Sequence, residues 1–88
     1  MNRMEILASA EEKVNGERDS VYGPPLENHK RIAIIWGVIL GTEISPAEVA
    51  LCMLGVKVAR LVQTPEHEDS YIDLVGYAAI AGELAGKE

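Results

Sequence analysis

The stretch Ile32-Ala-Ile-Ile-Trp-Gly-Val-Ile-Leu40 contains no charged or strongly polar side chain. At about 100° per residue, its nine positions cover the whole circumference of a helix. The same holds from Val49 to Val56 and from Leu74 to Gly82. A helix on the rim of a small bundle should carry one apolar stripe and one polar face. The chain has 88 residues, one domain's worth. A domain of this size buries only about 60% of its unfolded surface. One copy therefore cannot cover three helices that are apolar all round. Self-association buries the surplus, so a homo-oligomer, a dimer or larger, is expected. Gly55, Gly76 and Gly82 would let helices approach closely.

The helix boundaries are marked by caps and prolines. A first helix is predicted from about Arg3 to Asn15, with Asn2 as cap and Glu5 at the capping-box distance. Asn15-Gly16 is a stop signal. A polar loop, Glu17-Arg-Asp-Ser-Val-Tyr-Gly-Pro24, follows. Pro25 suits a first helical turn, so a second helix should run from Pro25 to Leu40 and stop at Gly41. Ser45-Pro46-Ala47-Glu48 combines an N-cap, a proline at N1 and a capping-box Glu, starting a third helix that runs to about Val62. Thr64-Pro65-Glu66 repeats the cap-then-proline pattern and predicts a fourth helix from about Pro65 to Leu84. No strand-like alternation persists outside these segments. The expected fold is all-α: four helices, with the third and fourth forming an antiparallel hairpin, assembled into a helical homo-oligomer.

The charge balance narrows the partners. Fourteen acids against eight bases give a net charge of −6. A general DNA or RNA binder needs a basic face, so nucleic acid is not an expected partner. A small phosphorylated ligand needs only two or three local cations. The N-terminus meets acidic residues at once and lacks a signal-peptide core. The longest uncharged apolar run, Ile32 to Gly41, is far short of the ~20 residues that span a bilayer, so no membrane partner is expected. The single cysteine, Cys52, reads as a small core residue, and a chain with one cysteine fits a reducing cytoplasm.

Two cations break the apolar pattern. Lys57 and Arg60 stand three apart on one face of the third helix. Asp69, Asp73 and Tyr77, spaced by four, form a stripe on the fourth. A short connection folds these helices back on each other, bringing the cations toward the carboxylates. Charges in such surroundings are paired or bind something. One reading is an intramolecular ion-pair network. In another, Asp69 and Asp73 hold Mg²⁺ while the cations hold phosphate oxygens. In a third, the carboxylates orient Lys57 and Arg60 to grip an anionic ligand with no cofactor. Tyr22-Gly23-Pro24 places an aromatic ring on a rigid turn before Glu27, Asn28 and Lys30. A tyrosine can stack on a nucleobase and Asn28 can read a base edge, or Tyr22 can simply pack over the bundle end. Trp36 reads as core or subunit contact. His29 and His67 each stand alone, and His67, beside Glu66, Glu68 and Asp69, reads as a solvated helix start or a metal ligand. There is no glycine-rich phosphate loop and no zinc-type Cys/His spacing.

The segments Arg18-Asp-Ser-Val-Tyr-Gly-Pro-Pro-Leu-Glu-Asn28, Arg31-Ile-Ala-Ile-Ile-Trp36, Lys57-Val-Ala-Arg60 and Glu68-Asp-Ser-Tyr-Ile-Asp-Leu-Val-Gly-Tyr-Ala78 together resemble a small all-helical domain family of bacteriophages and prophages. The resemblance spans Ala8 to Leu84. More distantly, the Tyr-Gly turn, the Lys-x-x-Arg and the Asp-x-x-x-Asp-x-x-x-Tyr-Ala look like nucleotide-modification-associated domains and MazG-type all-α nucleoside triphosphate pyrophosphohydrolases. Enzymes of the MazG type hold Mg²⁺ with a Glu-x-x-Glu pair on one helix and a Glu/Asp-x-x-Asp pair on the next. Here Glu48 is followed by Leu51 and Cys52, and Asp69 and Asp73 are four apart. The four-carboxylate cage does not carry over.

Three functions follow as expectations. The first is a phage-encoded nucleotide-binding protein that grips phosphates with Lys57 and Arg60, helped by Tyr22, Gly23 and Asn28. Such a protein could sequester a second messenger of host immunity as an anti-defence device. The second is a Mg²⁺-dependent nucleotide pyrophosphohydrolase. The third is a protein-interaction module with no small-molecule site.

Overall fold

The computed structural model describes residues 1–15 and 24–87. Four α-helices make up the described chain: α1 (Arg3–Asn15), α2 (Pro25–Leu40), α3 (Pro46–Gln63) and α4 (Glu68–Lys87). There is no strand among the described residues. The expected Tyr22-Gly23 turn lies outside them.

The caps do what their chemistry demands. Asn2 Oδ1 accepts from the Glu5 amide at 2.9 Å while Glu5 Oε1 accepts from the Asn2 amide at 3.0 Å. Ser45 and Glu48 make the same reciprocal box at the start of α3, with Pro46 in its first turn. Each box satisfies two backbone donors that a helix start would otherwise leave unpaired. Helix α2 ends in Gly41 at φ 69°, the left-handed region that a glycine enters without a Cβ penalty. Its amide donates to the Gly37 carbonyl at 2.9 Å.

The start of α4 differs from the expectation by three residues. Thr64 serves as the C-cap of α3, its amide donating to the Arg60 carbonyl at 2.9 Å. The His67 amide then donates to the Thr64 carbonyl at 3.1 Å, closing a turn over Pro65 and Glu66. A proline at the second position of a tight turn fits its fixed φ as well as a first helical turn does. Thr64 is committed to ending α3, so α4 begins only at Glu68. His67 contributes its imidazole there, with Nδ1 2.8 Å from the buried Ser70 hydroxyl. His67 itself is exposed.

Helix α4 touches each of the other three helices and packs most extensively on α3. Ala47 and Ala50, early in α3, pack with Ala81 and Leu84, late in α4, and Leu26 and Ile80 close over them. Helix α1 lies on α4 where Gly76 leaves room: a Cβ there would sit 3.3 Å from Val14 Cγ1. Five of the eight buried apolar residues among those described are alanines: 10, 33, 47, 50 and 81. The large apolar side chains point the other way. Ile34, Ile35, Val38 and Ile39 of α2 are 56–80% exposed, and Leu51, Val58 and Val62 of α3 are also exposed. Cys52, expected in the core, is exposed. The radius of gyration is 13.5 Å, against about 12 Å for a compact domain of this length.

Candidate functional site

The charged residues meet on α4, one turn apart. Asp73 stands at the junction of three helices. Its Oδ1 accepts from Lys13 Nζ of α1 at 2.8 Å, and its Oδ2 pairs with Lys57 Nζ of α3 at 3.0 Å. Lys13 Nζ also reaches Asp69 Oδ1 at 2.8 Å. Two carboxylates and two ammoniums therefore form a closed row, Asp69–Lys13–Asp73–Lys57.

Burial is graded along the row. The side chains of Lys57 and Asp73 are 11% and 14% exposed, while that of Asp69 is 58% exposed. Partial burial by itself would raise the Asp73 pKa. The hydrogen bonds and charges of Lys13 and Lys57 overcome it and hold the carboxyl below its ordinary value. For Lys13, burial works to lower the pKa, and the bonds to Asp69 and Asp73 reverse the sign and hold it above the usual lysine value. Both groups are charged across the neutral range.

The four expected charges do not converge as a set. Lys57 meets Asp73, but Asp69 is held by Lys13. Arg60 is exposed and makes no ion pair among the described residues. Three residues on a helix differ by about 60° in direction. That angle suffices to put Lys57 on the packed seam with Ala50 and Arg60 at its edge. Lys13 is the functional-looking residue that sequence reasoning missed. It sits in the last turn of α1, 56 and 60 residues from its partners. No local spacing relates them.

Asp69 and Asp73, expected as metal ligands, point their Oδ1 atoms at the same ammonium. Lys13 supplies the positive charge that a cation would bring, and a metal ion would have to displace it. Among the described residues, no group of three or more His, Cys, Asp or Glu side chains converges on a common point.

The α4 stripe continues from Asp73 to Tyr77, whose ring meets His29 edge-on, with centroids 6.1 Å apart. His29 is buried, and its Nδ1 lies 2.7 Å from the Pro25 carbonyl oxygen. A carbonyl only accepts, so Nδ1 carries the proton. Nε2 is then a buried acceptor with no hydrogen-bond partner among the described residues. Asn28, half-buried beside it in the first turns of α2, is tied to the helix by its backbone amide, which donates to the Pro24 carbonyl at 3.1 Å. Tyr22 and Gly23, expected to complete a base site, lie outside the described residues.

The arrangement of helices and charges now has relatives to set beside it. Residues 5–85 match the family described as "Domain of unknown function (DUF6378)". The chain belongs to the DUF6378 family. It is 44% identical over 78 residues to the Gene 55 protein of Mycobacterium phage L5, which covers 88% of this chain and 50% of that protein. It is 44% identical over 73 residues to the Gene 55 protein of Mycobacterium phage D29, covering 83% of this chain and 48% of that protein. The DUF6378 chain thus spans about half the length of these curated relatives. No solved structure matches it. Among the described residues of this DUF6378 member, no helix is long and apolar enough to cross a membrane.

Proposed function

We propose that the chain is a phage-encoded helical assembly domain that works as a homo-oligomer. In this reading α3 and α4 form an antiparallel hairpin that carries the subunit, and the row Asp69–Lys13–Asp73–Lys57 is its internal strut. One observation carries the proposal: small apolar side chains fill the interior and large ones cover the outside. An isolated subunit would expose Ile34, Ile35, Val38 and Ile39 side by side on α2. Each such side chain contributes about 2 kcal/mol when it leaves water. Four per subunit offer enough to offset the cost of association. The charge row supports the same reading because its charges are matched within the chain, leaving Lys57 and Asp73 committed to each other.

The test is to place charge on that face. Ile34→Glu combined with Val38→Glu should convert the assembly to a folded monomer on size exclusion, with helix content by circular dichroism unchanged. A double variant that elutes with the unmodified oligomer would contradict the proposal.

A second reading retains a small nucleotide as ligand, and Arg60 favours it. Arg60 is exposed, one turn beyond Lys57, and without an ion pair among the described residues. Such a cation can take a phosphate oxygen, whereas Lys57 would first have to leave Asp73. The distant resemblance to nucleotide-handling domains supports the same ligand class. Incubation with mono-, tri- and cyclic nucleotides, with and without Mg²⁺, followed by thermal shift and chromatography, tests it. Stabilisation that disappears in Arg60→Ala, with nucleotide recovered intact, is the binder's signature. Products that require Mg²⁺ would point to a pyrophosphohydrolase.

A further inference from the structure

We propose that two copies of the chain pair antiparallel through the outer face of α2, in a register centred between Trp36 and Gly37; this rests on the assembly reading above. The face is a continuous stripe of neighbouring positions: Lys30, Arg31, Ile34, Ile35, Val38 and Ile39, all exposed. It lies opposite the face that α2 turns inward, where His29 and Ala33 are buried. The inward face is thus the less apolar of the two, the reverse of an ordinary surface helix.

A second copy is the occupant because the stripe is complementary to itself. It is basic at its start, with Lys30 and Arg31, apolar in the middle, and followed by the exposed acid Glu43. In an antiparallel pair centred at this point, Ile34 faces the partner's Ile39 and Ile35 faces the partner's Val38. Lys30 then faces the partner's Glu43, twice per dimer by symmetry. A parallel pair would place Lys30 against Lys30 and Glu43 against Glu43, which like charges disfavour. Within its own chain Lys30 has only an exposed contact with Glu27 at 3.2 Å, and Glu43 has no ion pair among the described residues. Both ends are therefore open to an intersubunit bridge. The antiparallel arrangement also sets the amino end of one α2 beside the carboxyl end of the other, as their dipoles favour.

The full chain carrying Cys52→Ser supplies the background, since Cys52 is exposed. Ile34→Cys and Ile39→Cys proteins are mixed, allowed to exchange subunits and oxidised. The mixed disulfide should form faster than the disulfide of either protein alone. Charge reversal gives a second readout that does not depend on cysteine geometry. Lys30→Glu and Glu43→Lys should each weaken association by about three- to tenfold, the size of effect expected for two rim pairs turned repulsive. The double reversal should restore it. An oligomer in which Ile34→Cys alone cross-links fastest, or in which the two reversals simply add, would overturn this register and leave assembly standing. A monomer at every concentration would overturn both.

Discussion

Asp73 accepts from Lys13 with one oxygen and from Lys57 with the other, so truncating it strands Lys57 on the packed seam of α3. A nearly buried ammonium without its carboxylate costs about 3 kcal/mol. Asp73→Ala should lower stability to urea by about that much. Lys57→Met should cost less, about 1 kcal/mol, because Asp73 keeps Lys13 and the thioether fills the same space. Equal losses from the two variants would contradict the strut. The pH dependence follows from the same bonds. The folded pKa of Asp73 is depressed, so its contribution is full above about pH 4 and is lost as pH falls through the folded value. The folded pKa of Lys13 is raised, so its contribution is full below about pH 10.4 and is lost as pH rises through the folded value. Urea midpoints should be flat between these limits, and Asp73→Asn should show a lower plateau with a shallower acid limb. Part of this was legible in the sequence. Lys57 lies seven residues after Ala50 and four before Leu61, a spacing that places it on the packed face. The role of Lys13 was not legible, because it depends on how α1 docks across α4.

Helix boundaries were readable wherever a cap had one possible use. Asn2 with Glu5 and Ser45 with Glu48 form their boxes at the expected positions. Ser45→Ala should cost about 1 kcal/mol, seen as a lowered thermal midpoint with the assembled state unchanged. A loss well under 0.3 kcal/mol would mean that Pro46 alone starts α3. Thr64-Pro65 was ambiguous because the same residues can end one helix or begin the next. The preceding helix takes Thr64 first, and α4 starts after the turn. The apolar circumference of α2 was visible in the sequence too, but not which side turns inward. That depended on Ala33 and His29, the smaller and more polar residues, packing inside. A row of alanines in a seam lets backbones approach closely, and the isoleucines are left for the outside.

At the scale of the whole molecule, the 13.5 Å radius, the alanine-rich interior and the bare isoleucine face describe one subunit of something larger. The expectation of self-association came from the sequence because hydrophobic area can be counted without knowing the fold. The nucleotide site was harder to read, since it required four charges to meet that the fold separates: Lys57 and Asp73 in the strut, Asp69 on Lys13, and Arg60 at the edge. The half-length match to the Gene 55 proteins of phages L5 and D29 leaves those longer chains with a further region beside the same helical unit. The most direct test is the mass of the unmodified chain by light scattering across a hundredfold range of concentration. The account predicts at least two chains, twice 9.5 kDa or a higher multiple, falling only on dilution. A constant 9.5 kDa over the whole range would contradict it.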